Sequence, residues 1–157
     1  MIEVGDIHYN NKGEEYVVSN YINYNKIKIT FTGEYSYSTW VKGCQIKQGC
    51  IKNPYTPILL GIGYFGKGNY RARVGCAKEG AVQTKEYAAW VNMMSRCYDD
   101  NYITPSIYRD TFVCKEWHNF QVFAEWYVEE LKYCGWEGRI YLDKDLIGDG
   151  TLYHPDL

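Results

Sequence analysis

The first third of the chain contains short runs in which apolar and polar residues alternate. In KIKITF, Ile27, Ile29 and Phe31 fall on one side of an extended chain and the residues between them on the other. Turn-forming residues separate these runs at 10–13, 22–25 and Gly33. The pattern predicts strands over 6–9, 15–21, 26–32 and 35–41, and a further short strand over 45–47. We therefore expect residues 1–53 to form a small antiparallel sheet or an SH3-like half-barrel.

A helical period replaces the alternation after the prolines of NPYTP. Residues 84–98 repeat apolar side chains at i, i+3, i+4 and i+7, which predicts a helix that buries one face and has Thr84 as its N-cap. The apolar set is Trp90, Met93, Met94 and Cys97. Asn92 and Arg96 are also four residues apart and share a different face. That face is either solvated surface or the edge of a binding pocket.

A second helix is predicted over 115–133, and apolar residues occupy most of its circumference. One stripe is Trp117, Phe120, Ala124, Tyr127 and Leu131; the other is Val122, Trp126 and Tyr133, with Phe123 between them. Such a helix is either enclosed within the domain or partly buried against another subunit, and we favour the subunit contact. The tail predicts a strand, a turn over 148–150 and a short final strand, so a terminal hairpin. Together the elements predict an α+β fold in which residues 54–157 pack as one domain.

A glycine-rich segment over 59–75 lies between the two regions. Its G-I-G-Y-F-G begins a G-x-G-x-x-G match, but the following NYRARV alternates like a strand, which excludes a dinucleotide-binding fold. Glycines allow the backbone to approach a ligand or a neighbouring chain closely. The side chains beside them are Phe65, Tyr70, Arg71 and Arg73. If the segment is extended, the two arginines point the same way.

Composition narrows the class of protein. The net charge of −2 argues against a partner that is duplex DNA, whose phosphates call for a basic excess. The six cysteines include no C-x-x-C pair, so we expect small buried or partly buried thiols, with neither a disulfide framework nor a bound metal. There is no apolar run long enough to span a membrane and no signal peptide, so we expect a cytoplasmic protein. The 17 Tyr and 5 Trp residues suit interfaces and base-stacking pockets as well as an ordinary core.

Several motifs recur together in a known family. They are Y-x-x-W-x-N-M-x-x-R-C-Y from Tyr87 to Tyr98, V-C-x-E-W-H-N-F-x-x-F-A-E-W from Val113 to Trp126, L-D-K-D from Leu142 to Asp145, and a Y-x-P-like segment from Tyr153 to Pro155. With the front-end V-G-D-I and N-N-K-G-E, they resemble phage proteins labelled as HNH-type endonucleases. In those relatives the chain continues beyond the last motif. Here His154 lies three residues before the last residue, Leu157, so we expect no ββα finger and no nuclease chemistry.

The chain is most similar to a shorter group, the phage anti-Thoeris proteins, which act as sponges for cyclic ADP-ribose signals. Some members are also implicated in binding cyclic oligonucleotides. The resemblance implies a viral anti-defence protein of the host cytoplasm that sequesters its ligand without cleaving it. It further implies no catalytic residues, no cofactor and a homo-oligomer, a dimer or a trimer of dimers, with pockets between subunits.

A sponge needs arginines for phosphates and aromatic or amide groups for bases and ribose. The expected ligand-binding residues are Phe65, Tyr70, Arg71, Arg73, Asn92, Arg96, Tyr98, Tyr108 and Arg109. Each has a plainer interpretation. Arg109, the leading phosphate ligand, is equally suited to a salt bridge with Asp110 or Glu116, and Arg96 suits the helix dipole. Asn92, Arg71 and Arg73 suit a solvated face, and the aromatic residues, Trp90 and Trp117 above all, suit the core.

Two alternatives remain open. A degenerate HNH-type DNA-binding or nicking protein would require metal-dependent cleavage that is lost when His154 is changed. An enzyme that degrades a cyclic nucleotide would require paired catalytic histidines, and no H-x-T repeat is present.

Overall fold

The computed structural model describes residues 1–76, 80–101, 110–135, 137–138, 142 and 150–156. The chain forms two compact units, Met1–Asn53 and Pro54–Leu157. The predicted α+β class is confirmed, with an antiparallel sheet followed by helices.

The first unit is a four-stranded antiparallel sheet in the order β1-β2-β3-β4. Its strands are β1 (Ile7–Tyr9), β2 (Glu15–Asn23), β3 (Lys26–Phe31) and β4 (Tyr37–Val41). The predicted alternation in β3 is confirmed, because Ile27, Ile29 and Phe31 are at most 1% exposed. They pack with Tyr16 and Val18 of β2 on the same side of the sheet.

The short strand predicted over 45–47 is wrong, because the segment forms a helix, α1 (Gly43–Gln48). The Gln45 side chain folds back to accept a hydrogen bond from the Lys42 backbone N–H at 2.8 Å. Gly49 ends the helix in the left-handed conformation, with φ at 64°. The helix buries Ile46. The hydrogen bond of Gln45 at its start and the left-handed Gly49 at its end favour a helix over the strand that the sequence pattern predicted.

The second unit combines short strand pairs with two longer helices. In chain order they are β5 (Pro57–Leu59), β6 (Gly63–Tyr64), β7 (Arg73–Val74), β8 (Val82–Gln83), α2 (Lys85–Tyr98), β9 (Phe112–Val113), a 3₁₀ helix (Lys115–His118), α3 (Phe120–Cys134) and β10 (Leu152–Tyr153). β5 pairs with β6 and β7 with β8, both antiparallel. These pairs position the glycine-rich segment against the helices.

The first predicted helix is confirmed, and the second is divided in two. The Thr84 side chain caps α2 by accepting from the Tyr87 backbone N–H. The segment predicted as one helix over 115–133 changes direction at Asn119, whose side chain accepts from the Gln121 N–H at 3.0 Å and begins α3. The stretch before it is the 3₁₀ helix, so Trp117 and Phe120 belong to different elements.

The core of the second unit lies between α2, α3 and the 3₁₀ helix. Its fully buried members are Trp90, Met93, Met94, Trp117, Phe120, Phe123, Ala124 and Tyr127. The indole N–H of Trp90 donates to the Trp117 carbonyl at 2.7 Å, which satisfies a polar group that burial would otherwise leave unpaired. The predicted core role of both tryptophans is confirmed.

The second apolar stripe of α3 faces outward over part of its length. Val122 is 41% exposed and Tyr133 is 89% exposed, whereas Trp126 is half-buried and packs on Trp117 with ring centroids 4.6 Å apart. The helix is therefore not enclosed within the unit on this side.

The last strand, β10, pairs in parallel with β9, with Leu152 opposite Phe112 and Tyr153 opposite Val113. Most of the predicted first strand and turn of the terminal hairpin lies outside the described residues. Tyr153 is 3% exposed, so this pairing contributes directly to the core.

The cysteines are free, but most of them are not buried. Cys44, Cys50, Cys76 and Cys134 are exposed, Cys97 is half-buried and Cys114 is buried. The expectation of buried or partly buried thiols is therefore wrong for four of the six. These four lie outside the periodic apolar stripes, in α1, in connecting segments or in the last turn of α3.

Candidate functional site

The glycine-rich segment lies against the start of α3. Tyr64 forms a parallel bridge with Asn119, and the Gly66 N–H donates to the Pro54 carbonyl at 2.9 Å. Gly66 has φ at 73°, and a side chain there or at Gly68 would overlap the amides that begin α3. The close approach that the glycines allow is therefore to the protein's own helix.

Gln121 holds the end of this segment in place. Its side-chain carbonyl accepts from the Tyr70 N–H at 2.9 Å, and its amide donates to the Tyr70 carbonyl at 3.0 Å. Gln121 is only 6% exposed, and both ends of its amide are satisfied. Sequence reasoning missed this residue, because a Gln in the second position of a helix carries no sign of a partner 51 residues away.

Arg71 and Arg73 follow directly and lie at the N-terminal end of α2. The Thr84 hydroxyl donates to the Arg71 carbonyl at 2.8 Å, and the Thr84 N–H donates to the Ala72 carbonyl at 3.0 Å. Arg73 pairs with Gln83 across the β7–β8 ladder. Both arginine side chains are exposed. The strand predicted over NYRARV is limited to Arg73–Val74, so strand alternation does not align the two arginines as expected.

Asn92 and Arg96 lie farther along α2. Asn92 is exposed, and Arg96 is half-buried in the last turn, where its positive charge is favourable to the helix dipole. At 1.5 Å per residue, they lie about 12 Å and about 18 Å from the N-cap Thr84. The helix therefore separates these two residues from Arg71 and Arg73.

Tyr98 and Phe65 have packing roles. The Tyr98 hydroxyl accepts from the Val113 N–H at 3.0 Å and ties the end of α2 to β9. Burial raises the pKa of Tyr98, and the hydrogen bond from Val113 acts in the opposite direction. The Phe65 ring lies 5.1 Å from that of Phe120, and both Tyr98 and Phe65 border the core. Neither ring is presented as an open stacking platform.

Tyr70 is half-buried in an acidic environment. Burial raises the pKa of its hydroxyl, and the carboxylates of Glu125, Glu129 and Glu86 raise it further. A phosphate beside this hydroxyl would face the same three negative charges. Tyr70 is therefore suited to contact an uncharged part of a ligand, such as a base or ribose, rather than a phosphate.

Some predicted residues lie outside the described part of the chain. These are Tyr108 and Arg109, the leading phosphate ligand. His154 is described, and its Nδ1 accepts from the Asp156 N–H at 3.2 Å within a local turn. Among the described residues, no group of three or more His, Cys, Asp or Glu side chains is arranged to hold a metal ion.

His118 was not singled out by its sequence and has an unusual environment. Its ring packs edge-on against Tyr98 at 6.2 Å, and its Nε2 is buried with no hydrogen-bond partner among the described residues. Burial lowers the pKa of His118, and although the hydrogen bond with the Val113 backbone acts in the opposite direction, the net shift is downward. The imidazole is therefore held in its neutral form more strongly than a solvent-exposed histidine.

No family model, curated protein or solved structure matches the chain. None of the helices in the described ranges combines the length and apolar character needed to cross a bilayer.

Proposed function

We propose that this protein is a phage anti-defence protein that binds and sequesters a cyclic nucleotide signal, a cyclic ADP-ribose isomer or a cyclic oligonucleotide, in the host cytoplasm. The proposal combines the resemblance to anti-Thoeris sponges with one structural observation. Arg71 and Arg73 are exposed, and the backbone that carries them is hydrogen-bonded to the N-cap of a 14-residue helix. Sequestration, without cleavage of the ligand, is the proposed activity.

The phosphates of such a ligand are the part that this arrangement fits. Guanidinium groups form paired, charge-assisted hydrogen bonds with phosphate oxygens, and the positive end of a helix dipole lies beside them. Each hydrogen bond to a charged group contributes about 1.5–3 kcal/mol. Two such arginines match a ligand with two phosphates, as in cyclic ADP-ribose.

A second copy of the chain completes the proposed pocket. Sequestration at nanomolar concentration requires about −12 kcal/mol, which two exposed arginines do not supply in contact with water. Asn92 and Arg96 lie farther along α2 than its N-cap Thr84, to which the backbone of Arg71 is hydrogen-bonded. The exposed Val122 and Tyr133 on α3 offer an apolar contact for another subunit. A homo-oligomer would bring the two groups together and exclude water.

Sequestration is tested by incubating the protein with cyclic ADP-ribose isomers and cyclic di- and trinucleotides, filtering it, and then heating the retained protein. Intact ligand that is lost from the filtrate and returns on heating is the expected result. Arg71→Ala and Arg73→Ala should each weaken binding by about 10–100-fold, the equivalent of losing one charged contact. Lys132→Ala removes an exposed cation from the end of α3 and serves as the matched control.

Two results would contradict the proposal. If the ligand stays in the filtrate, the protein does not sequester it. If the ligand returns as a cleaved product, the result favours a hydrolytic or HNH-like protein instead. Size-exclusion chromatography with light scattering of Tyr133→Ser tests the oligomer separately, since a monomer that still binds at nanomolar concentration would contradict the shared pocket.

A further inference from the structure

The outer face of the N-terminal sheet is a second surface with recognisable chemistry. Because the alternate residues of β3 fill the core, Lys26, Lys28 and Thr30 point away from it. Trp40 lies directly across from Lys28, and Ser38 directly across from Thr30, so both share that face. We call these five residues the outer sheet face.

Trp40 is presented on this face rather than packed in the core. Its side chain is 46% exposed on an edge strand, and the Lys26 ammonium lies 5.4 Å from its ring centroid. Beside it, the Thr30 hydroxyl bonds with that of Ser38 at 2.8 Å and donates to that of Ser19 at 3.1 Å. The result is an indole ring next to a fixed row of hydroxyl groups.

Charged residues are distributed unevenly along the strands of this unit. The β2–β3 turn end carries three lysines, since Lys26 begins β3 and Lys42 follows β4 beside it, while Lys47 lies over the Tyr24 ring at 5.6 Å. The acidic side chains Glu14, Glu15 and Glu34 belong to the opposite end, which also carries Lys12 in the β1–β2 turn. The six residues of β3 separate the two ends by about 17 Å.

We propose that the outer sheet face, together with the adjoining Lys42, binds single-stranded nucleic acid, with a base stacked on Trp40 and the adjacent phosphates contacted by Lys26, Lys28 and Lys42. Exposed aromatic rings flanked by cations bind single strands because every base offers a π face and every linkage a negative charge. The serine and threonine hydroxyls provide acceptors and donors for sugars and base edges. This surface belongs to the first unit and does not depend on the proposed sequestration by the second.

Single strands fit this surface better than other polyanions. In a duplex the bases are already stacked and paired, so Trp40 would gain nothing and the lysines alone would have to supply the affinity. An acidic peptide or an anionic bilayer would likewise use the lysines without requiring a half-exposed indole ring. Dependence on Trp40 therefore distinguishes the proposed partner from general attraction to negative charge.

The test is the fluorescence anisotropy of a labelled oligothymidylate, titrated with the 157-residue protein at low and moderate salt. Trp40→Ala should weaken binding by about tenfold or more, as expected for loss of one stacked base. Trp40→Phe should retain part of the affinity, and Lys26→Gln with Lys28→Gln should weaken binding and reduce its salt dependence. Tyr9→Ala is the matched control, because Tyr9 is an exposed aromatic residue at the acidic end of the same sheet.

Circular dichroism of each variant establishes that the sheet is retained. Three outcomes would overturn the proposal: no binding of the oligonucleotide at low salt; binding that Trp40→Ala and Trp40→Phe leave unchanged; or preferential binding of heparin, duplex DNA or anionic phosphatidylserine vesicles over the single strand. Loss of oligonucleotide binding in Trp40→Ala, with unchanged capture of cyclic nucleotides, would show that the two surfaces act independently.

Discussion

The buried amide of Gln121 satisfies both backbone groups of Tyr70, accepting from its N–H at 2.9 Å and donating to its carbonyl at 3.0 Å. One side chain in the first turn of α3 thus fixes the residue that immediately precedes Arg71. The proposed phosphate contacts depend on this pairing for their position.

Gln121→Ala should lower the free energy of unfolding by about 1–3 kcal/mol, because it leaves two backbone groups of Tyr70 without partners. Binding of a cyclic nucleotide should weaken as well, since Arg71 loses its anchored neighbour. Urea unfolding and ligand titration measure the two effects. Gln48→Ala, at an exposed position in α1, should leave both unchanged. An unaltered free energy of unfolding in Gln121→Ala would show that the two hydrogen bonds between Gln121 and Tyr70 do not form in solution.

Gly66 and Gly61 offer a matched pair of substitutions. Both have a left-handed backbone, with φ at 73° and 71°, so alanine imposes a similar conformational strain at each. At Gly66 the new side chain would also overlap the Asn119 amide, whereas at Gly61 nothing lies within 4 Å. Gly66→Ala should therefore be the more destabilising, by an additional roughly 1–3 kcal/mol from overpacking. Equal losses of thermal stability would contradict the close approach to α3.

His118 should make stability sensitive to acid. Because burial lowers its pKa in the folded protein, the unfolded chain binds a proton on this side chain at a higher pH than the folded one. The stability that depends on neutral His118 is fully present above the ordinary histidine pKa of about 6.5. It is lost as the pH falls from there through the lower pKa of the folded protein. Thermal melts from about pH 7.5 to about pH 5 should show a smaller decrease in Tm for His118→Gln than for the wild type. Parallel curves would contradict this prediction.

Cys114 should be the least reactive cysteine of those described. Burial raises the pKa of its thiol to about 11, so the reactive thiolate is scarce near neutral pH. Alkylation followed by peptide mass spectrometry should label Cys44, Cys50, Cys76 and Cys134 in the native protein, and Cys114 only after denaturation. Rapid native labelling of Cys114 would show that the region around β9 opens readily.

The sequence predicted the elements whose periodicity is set by burial. The alternation of Ile27, Ile29 and Phe31 reflects one buried face, and so does the helical spacing of Trp90 and Met94. Elements defined by short-range hydrogen bonds were missed or merged. The start of α1 depends on the hydrogen bond from the Lys42 backbone N–H to the Gln45 side chain. The break before α3 depends on the Asn119 side chain, which caps that helix. Because asparagine is a favoured N-cap residue, the start of a new helix after Asn119 was readable from the sequence.

The candidate site was less predictable because residue type does not specify which groups meet. Phe65 and Tyr98 have the composition of stacking residues, yet they pack at the border of the core. Arg71 and Arg73 were identified, but their position at the start of α2 depends on Thr84, whose hydroxyl reaches back thirteen residues. Such long-range pairings leave no periodic trace in the sequence.

The parallel pairing of β9 with β10 has a consequence for synthesis on the ribosome. In the first unit each strand bonds to its neighbour in sequence, so the sheet can close soon after Val41 has emerged. The second unit must wait for Leu152 and Tyr153, long after Trp117 and Phe123 have been made. Its aromatic core is meanwhile open to chaperones and to aggregation. The nascent protein therefore carries one finished unit and one unfinished unit for much of its translation.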